Sequence, residues 1–424
     1  MGFEKFVDGA AKAMGANTPG PGQLTAAHPL LNGVPYKAFR EAVEIDVRRQ
    51  AGAFFSGEDI ATELATRLRE VVPAGALVMD PTCGIGDLLL AYAAGLPVGR
   101  SLTETLGDWG RQLAGMDLQD DLDRMAKIRL IILAQVRGKF DELVADPDSH
   151  FPLIRQGDVL KDCAAIAKAD GFLFNPPFGQ VVMAGQDITW SSGQINAAAI
   201  FLTGLLANRK PAASISALLP EVLRCGSRYA HFREHLRKEG LGGSYRSFGR
   251  FDSWTDVDVF STLLRTSEGA DLWQHGSKAA ESTVGGRFTV RVGAVVPHRD
   301  PVSGDEHDYV CAKTTPAWSK AFRPTATRRF EGTVFRPPFV VVRRTSSPSD
   351  RHRAVGSVVI GSSTVAVENH LLILRPESGA VSDCEALLKL LEHKRTSDHL
   401  NQTIRCRHLT TGSVKSIPWT TGDD

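Results

Sequence analysis

Between two apolar runs the chain reads Asp80-Pro81-Thr82-Cys83-Gly84-Ile85-Gly86-Asp87. The run before it, residues 76–79, is short and apolar, which predicts a buried strand. The run after it, residues 88–92, is apolar and predicts a helix. A strand, a tight Gly-x-Gly turn and a helix are the opening of a nucleotide-binding βαβ unit. We therefore expect an α/β fold with a doubly wound, mostly parallel sheet of the Rossmann-like kind.

The glycine loop also restricts the ligand. Its spacing is not Gly-x-Gly-x-x-Gly, because position 89 is leucine, and this argues against a dinucleotide pyrophosphate site. A smaller nucleoside ligand without phosphate, whose charged tail meets the loop, fits better. Glycine at positions 84 and 86 would let the backbone come close to such a ligand.

Two more acidic residues follow predicted strands. Asp117 ends the stretch 113–117, where its two carboxylate oxygens can accept both ribose hydroxyls of an adenosine. Asp158 lies in a further predicted strand end, residues 154–160, where it can accept a proton of the adenine amino group. The carboxyl ends of parallel strands meet at one edge of a sheet, so we expect these side chains to lie together.

A fourth apolar stretch, Phe172-Leu173-Phe174, ends in Asn175-Pro176-Pro177-Phe178. Neither proline can continue a sheet ladder, since each lacks an N–H and fixes φ. The pattern predicts a stiff turn that presents an amide, a carbonyl and an aromatic ring. These groups suit a planar substrate carrying an –NH2. The alternative is an ordinary strand exit in which the two prolines protect an edge.

Composition indicates a globular protein with at least two domains. The chain has 424 residues, a formal net charge of +1, and a hydrophobic fraction of 42%. No run of about 18 apolar residues is present, so we expect no membrane span, and the N-terminus does not resemble a signal peptide. Six scattered cysteines without a Cys-x-x-Cys pair predict neither a metal site nor a disulfide framework. A reducing, cytoplasmic setting fits these features best.

The pattern changes along the chain. We expect a flexible leader over residues 1–35 with a short helix in it, a catalytic domain over 36–267, and a smaller α+β domain over 284–424. In the last of these, nine basic residues between positions 320 and 353 are interleaved with phenylalanines and opposed by only two acids. Such a surface suits a phosphate backbone, with Arg336, Arg343 and Arg344 as candidate contacts. The alternative is a solvated arginine face on a small β module.

Together these motifs resemble a known family. The glycine loop resembles the S-adenosylmethionine-binding motif of amino-methylating DNA methyltransferases, and Asn175-Pro176-Pro177-Phe178 matches their catalytic motif. Gly52-Ala53-Phe54-Phe55-Ser56 looks like their N-terminal cofactor motif, although Ser56-Gly57 stands where the family often has Thr-Pro. This motif order is similar to the gamma class of N6-adenine methyltransferases, which includes modification subunits of type I restriction systems. The C-terminal segment 407–418 looks like the close of a type I specificity domain.

The resemblance implies a class I methyltransferase fold, S-adenosylmethionine as cofactor, and double-stranded DNA as substrate. A specificity or restriction subunit is a possible partner, and no metal is implied. The target base would be flipped out and stacked on Phe178, with Phe251 or Trp254 as the opposing wall. The residues implied to hold the cofactor are Phe54, Phe55, Ser56, Asp80, Pro81, Thr82, Cys83, Gly84, Gly86, Asp117, Asp158 and Asn175. The residues implied in catalysis are Asn175, Pro176, Pro177 and Phe178.

Other readings stay open. The same type of tetrapeptide serves N4-cytosine, RNA-guanine and protein-glutamine methyltransferases. The chain could also be a catalytically idle DNA-binding subunit of a defence complex, or a structural β module joined to an unrelated metabolic enzyme.

Overall fold

The computed structural model describes residues 2–16, 28–44, 57–140, 142–144, 146–182, 190, 193–251, 257–266, 283–346, 350–404 and 408–419. The chain divides into two compact units. We call them the N-terminal unit, formed by residues 1–224 and 230–273, and the C-terminal unit, formed by residues 225–229 and 274–424.

The N-terminal unit is built on a seven-stranded sheet. Its strands in chain order are β1 (Val78–Asp80), β2 (Leu113–Asp117), β3 (Ile154–Gln156), β4 (Gly171–Phe174), β7 (Ser214–Pro220), β8 (Leu241–Arg250) and β9 (Asp258–Thr266), while β5 (Gln180–Val182) and β6 (Gln194–Asn196) form a separate hairpin. The spatial order is β3-β2-β1-β4-β7-β9-β8. The first five of these strands are parallel, and β9 is antiparallel to both β7 and β8. The predicted doubly wound, mostly parallel sheet is confirmed.

Helices follow most of these strands. They are α1 (Phe3–Ala16), α2 (Val34–Ala42), α3 (Gly57–Arg69), α4 (Asp87–Ala93), α5 (Leu102–Gln112), α6 (Asp120–Gly138), α7 (Cys163–Ile166), α8 (Ala197–Asn208), α9 (Glu221–Cys225) and α10 (Ala230–Lys238). Helix α3 packs on β4, β7 and β9, and helix α6 packs on β2 and β3. Strands β1 and β4 are buried along their whole length, as their continuous apolar sequence predicts for a central parallel sheet.

The start of the chain differs from the expectation of a flexible leader. Helix α1 buries Phe3 and Val7 against α6, and the Phe3 ring meets the edge of Phe39 at a centroid distance of 5.3 Å. Both side chains are less than a tenth exposed. A helix that buries two large apolar side chains is held by the hydrophobic effect, so this part of the segment is not loosely held.

The C-terminal unit is α+β. A four-stranded sheet has the order β10 (Phe288–Val292), β16 (Leu371–Pro376), β13 (Phe339–Arg343), β14 (Gly356–Val359). A three-stranded sheet has the order β12 (Ala326–Arg329), β11 (Glu306–Val310), β15 (Val365–Val367). The helices are α11 (Val381–Glu392), α12 (Lys394–Thr403) and α13 (Thr411–Lys415).

The two faces of the four-stranded sheet have different neighbours. Val340, Leu372 and Leu374 share a buried cluster with the apolar side chains of α11. Val341 and Ile373, which point the other way, share a second cluster with side chains of the three-stranded sheet. Because side chains alternate between the two faces of β13 and β16, each of these strands contributes to both clusters.

None of the helices in these ranges combines the length and the hydropathy that a bilayer span requires.

Candidate functional site

Four parallel strands end side by side at one edge of the N-terminal unit's sheet. Strand β1 ends at Asp80 and β2 at Asp117, while Asn175 directly follows β4 and Asp158 lies two residues beyond β3. The register pairs Asp80 with Gly115 and Met79 with Phe172, so Asp117 and Asn175 both lie two residues beyond the level of Asp80. In open α/β sheets, ligands bind outside the carboxyl ends of the strands. The predicted meeting of the polar strand ends at one edge is confirmed.

The glycine loop is tied to Asp117. The carboxylate of Asp117 accepts the Gly84 N–H at 3.0 Å through Oδ2 and the Gln119 N–H at 3.1 Å through Oδ1. The Cys83 N–H donates to the Met116 carbonyl at 2.9 Å. These bonds fix the loop against the end of β2. Each carboxylate oxygen has a further lone pair with which it can accept a hydroxyl.

Glycine is required at position 86. The residue has φ of 84°, in the left-handed region, and a Cβ built there would lie 2.7 Å from the Cβ of Ala126 on α6. The close approach lets α4 start immediately after the loop, with its first backbone N–H groups at the sheet edge. Any side chain at position 86 would push the loop away from α6.

Asp80 is buried, with 1% of its surface exposed. Burial raises the pKa of its carboxyl to about 8, with smaller contributions from the negative charges of Asp117 and Asp87, while the Thr82 N–H at 3.1 Å acts in the opposite direction. Burial also raises the pKa of Asp117. In the ligand-free protein Asp80 is therefore largely protonated near neutral pH, and a positively charged ligand group placed beside it would favour its ionised form.

Thr82 connects the two motifs. Its hydroxyl donates to the backbone carbonyl of Asn175 at 3.2 Å. The cofactor contact predicted for Thr82 stays a prediction, and the structure places its hydroxyl on the Asn-Pro-Pro-Phe turn. With its backbone carbonyl held in this way, Asn175 is fixed at the start of the turn.

A residue that the sequence analysis missed holds the other end of the turn. The side-chain amide of Asn196 donates to the Phe178 carbonyl at 2.8 Å, and its oxygen accepts the Ala198 N–H at 3.0 Å as the N-cap of α8. Asn196 is buried, with 3% exposure. An asparagine directly before an apolar helix is a typical N-cap signal, which would have indicated the cap but not the bond to Phe178.

The rings of Phe178 and Phe251 touch. Their centroids lie 5.7 Å apart and their planes are at 77°, an edge-to-face contact, and Phe178 is buried. A base held between two parallel rings needs them roughly 7 Å apart, since each stacking contact takes about 3.5 Å. The pair therefore leaves no slot for a base in this arrangement. The expectation that the two rings form opposing walls requires Phe251 to move away from Phe178.

Asp158 has partners at both carboxylate oxygens. Oδ1 accepts the Leu160 N–H at 3.1 Å, and Oδ2 lies 3.1 Å from the ammonium of the exposed Lys161. The role predicted for it toward the adenine amino group stays a prediction. Phe54, Phe55, Ser56 and Trp254 lie outside the described residues.

The three arginines predicted to contact phosphate lie in different surroundings. Arg343 donates to the Thr315 carbonyl at 3.0 Å and Arg344 to the Asn369 carbonyl at 2.9 Å, so both guanidinium groups serve the C-terminal unit itself. Arg336 is exposed. In the described part of the chain, no group of three or more His, Cys, Asp or Glu side chains is arranged to hold a metal ion.

The edge fits the implied cofactor in chemical terms. The carboxylate of Asp117 suits the ribose hydroxyls of the cofactor. Buried Asp80 and the glycine turn suit its small, positively charged tail. Asn175 stands on the adjacent strand end.

Comparisons with known proteins bear on the fold. No protein-family model and no curated protein sequence matches the chain. The chain is similar to the structure of the Type IIL restriction-modification enzyme MmeI in complex with DNA, with 11% identity and a TM-score of 0.58, over 93% of this chain and 72% of that chain. It also matches the type IIG restriction endonuclease BpuSI (13% identity, TM-score 0.47, 98% of this chain and 69% of that chain). A third match is the type I restriction enzyme EcoKI M protein (17% identity, TM-score 0.38, 63% of this chain and 55% of that chain). The first similarity shows that this chain shares the fold of MmeI across most of its length.

Proposed function

We propose that the chain transfers the methyl group of S-adenosylmethionine to the N6 amino group of adenine in double-stranded DNA, as part of a restriction-modification or phage-defence system. The observation that carries the proposal is the hydrogen bond from Thr82 to Asn175. The bond joins the glycine loop to the Asn-Pro-Pro-Phe turn. The loop suits a nucleoside with a positively charged tail, and the turn suits an amino group. The methyl group of the cofactor and the amino group that receives it would therefore meet.

The chain's main chemical task is to make the amino nitrogen reactive. This nitrogen is a poor nucleophile because its lone pair is conjugated into the ring. We assign two acceptors for its protons, the side-chain oxygen of Asn175 and the backbone carbonyl of Pro176. Hydrogen bonds to both protons favour a pyramidal nitrogen with a localised lone pair, and they strengthen as positive charge develops there.

The turn keeps these acceptors in place before the substrate arrives. Thr82 holds the Asn175 carbonyl and Asn196 holds the Phe178 carbonyl, so both ends of the tetrapeptide are bonded to neighbouring segments. The prolines at positions 176 and 177 restrict the backbone between the two ends. Acceptors that need no rearrangement contribute most to transition-state stabilisation.

The cofactor supplies an electrophilic methyl group on a positively charged sulfur. Asp117 would hold the ribose and Asp158 the adenine amino group, and the loop over positions 80–86 would surround the charged tail. Phe178 would stack on the flipped adenine once Phe251 has moved. The segments proposed for these tasks are residues 36–267 for methyl transfer and 284–424 for target recognition.

The test is methylation of DNA by the purified chain, with mass analysis of the digested nucleosides and parallel measurement of cofactor affinity. N6-methyladenine is the expected product. We expect Asn175→Ala to lose at least a thousandfold in kcat while its Kd for S-adenosylmethionine stays within about threefold of wild type. Asn208→Ala is the matched control, because the Asn208 side chain bonds only within α8, to the Gly204 carbonyl at 2.8 Å.

Other methylated products would show that the chain is a methyltransferase with a different substrate. N4-methylcytosine, or methylation of RNA or of protein glutamine with none on DNA, would overturn the choice of substrate. Cofactor binding without turnover on any DNA would support an idle subunit instead. Sequencing methylated bases in cells that express the chain alone decides whether a specificity or restriction subunit is needed, since a self-sufficient enzyme modifies adenine in a single motif.

A further inference from the structure

A groove in the C-terminal unit lies on the edge strand of the four-stranded sheet. It has a volume of about 630 Å³ and is lined by side chains of β10 and β16 and of two adjoining segments, 333–335 and 377–379. Arg291 of β10 and Arg375 of β16 both line it. Both are exposed.

The register places the two arginines on one face. Arg375 pairs with Thr289, and Arg291 pairs with Ile373. Arg291 lies two residues from Thr289 on the same strand, so Arg291 and Arg375 are diagonal neighbours, with Cα atoms roughly 7–8 Å apart. Helix α11 covers the opposite face of this sheet. Two positive charges thus project side by side from a surface that the helix does not cover.

Five other arginines of this unit serve its internal structure. They donate to backbone carbonyls: Arg328 to Asp300, Arg329 to Gly304, Arg343 to Thr315, Arg344 to Asn369 and Arg353 to Ile404. The guanidinium groups of Arg291 and Arg375, by contrast, make no hydrogen bond or ion pair with any residue that the structure describes. Holding two like charges together without a counter-ion is unfavourable, and an anionic ligand would relieve the repulsion.

The remaining lining suits an anion with oxygen atoms. Thr333 brings a hydroxyl donor and Phe335 an apolar wall. The Ser378 hydroxyl also lines the groove and donates to Asp383. The one acidic side chain in the lining, Glu377, accepts the Thr289 hydroxyl at 2.5 Å. Two arginines against one glutamate leave the groove with a net positive charge.

We propose that this groove binds the phosphodiester backbone of DNA through Arg291 and Arg375. The identity of the ligand rests on the proposed function. Guanidinium groups pair with phosphate oxygens through two parallel hydrogen bonds, and hydroxyl groups complete such contacts. The main phosphate contacts would then lie on Arg291 and Arg375 rather than on Arg343 and Arg344, each of which donates to a backbone carbonyl of the unit.

The experiment measures binding of a fluorescent duplex of arbitrary sequence by anisotropy, over a series of salt concentrations. Wild type is compared with Arg291→Gln, Arg375→Gln and the double variant. We expect the double variant to lose at least tenfold in affinity at low salt. The slope of log K against log salt should fall by about 0.9 for each arginine removed. Glu377→Gln should act in the opposite direction and tighten binding.

Lys389→Gln is the control, because this exposed lysine lies on α11, over the opposite face of the sheet. The affinity of this variant for the duplex, and the slope of log K against log salt, should match those of wild type. Thermal melting verifies that each variant is folded, and the two single variants keep the test informative if the double variant is unstable.

The outcomes separate the two proposals. A wild-type chain that binds and methylates DNA, together with arginine variants of unchanged affinity and salt slope, would overturn the assignment of this groove alone. A wild-type chain that binds no duplex at any salt concentration would overturn both this inference and the proposed DNA substrate.

Discussion

The hydroxyl of Thr82 donates to the backbone carbonyl of Asn175 at 3.2 Å, across 93 positions of sequence. The two residues follow neighbouring parallel strands, β1 and β4, and the bond fastens the glycine loop to the start of the Asn-Pro-Pro-Phe turn. The bond holds the backbone of Asn175 where β4 ends. One hydroxyl therefore couples the proposed cofactor loop to the proposed catalytic turn.

This bond predicts the behaviour of two substitutions at position 82. Thr82→Val keeps the shape of the side chain but removes the donor, and we expect kcat for methyl transfer to fall about tenfold as the Asn175 carbonyl is released. Thr82→Ser retains the hydroxyl and should remain within about twofold of wild type. The check is steady-state methylation kinetics on a duplex substrate. Equal kcat values for the two variants would show that the hydroxyl does not position the turn.

Asn196 should act as a positioning residue at the other end of the turn. Asn196→Ser retains a cap for α8 but cannot reach the Phe178 carbonyl, and Asn196→Asp retains the cap while an ionised carboxylate repels that carbonyl. We expect kcat to fall about tenfold or more in both, with the Kd for S-adenosylmethionine within about twofold of wild type. Asn208→Asp, which loses a bond inside α8 only, is the matched control.

The pH profile separates positioning from a merely structural role. In Asn196→Asp the introduced carboxyl can donate to the Phe178 carbonyl only when protonated, and burial favours the protonated form. The activity of this variant relative to wild type should therefore recover as the pH is lowered from 8 to 6. Asn196→Ser has no such group and should show a flat ratio. A flat ratio for both variants, or activity lost in step with melting temperature, would argue against the positioning role.

The contact between Phe178 and Phe251 predicts an energetic coupling in the DNA-free protein. Edge-to-face pairs of this kind contribute about 0.5–1.5 kcal/mol beyond their buried area. A double-mutant cycle with Phe178→Ala, Phe251→Ala and the double variant, measured by denaturant unfolding, should return a coupling in that range. Additive effects would mean that the rings do not touch in solution, and a base could then enter between them without displacing Phe251.

The sheet and its functional edge were predictable from the sequence because each signal is local. Short apolar strands, the glycine turn at 84–86 and the prolines at 176–177 each report on a few neighbouring residues. Parallel topology then brings the strand ends together without further information. The contacts that hold the site could not be predicted in this way. The bonds from Thr82 to Asn175 and from Asn196 to Phe178 depend on three-dimensional register, which no local pattern encodes.

The basic surface was predictable only as a composition. Counting arginines between 320 and 353 located a positively charged segment, but that count cannot distinguish a guanidinium that faces solvent from one that donates to a carbonyl, as Arg343 and Arg344 do. Arg291 and Arg375 were missed because they are 84 positions apart and become neighbours only through antiparallel pairing of β10 with β16. The N-terminal helix was misjudged as part of a loose leader because its partner, α6, lies more than a hundred residues further along.

The buried carboxyl of Asp80 predicts how stability depends on pH. Its pKa in the folded protein is raised to about 8, from a value of 3.8 for an unperturbed carboxyl, so the folded state binds this proton more tightly than the unfolded state does. Its contribution to stability is therefore present at low pH and is lost as the pH rises toward 8. Asp80→Asn cannot ionise, and its amide oxygen can still accept the Thr82 N–H. Melting temperatures of the two proteins between pH 5 and pH 9 should diverge, with the variant gaining at least a few degrees relative to wild type at the alkaline end. Groups that titrate alike in both proteins cancel in this difference, so a difference that stays constant with pH would show that Asp80 is ionised in the folded protein throughout the range.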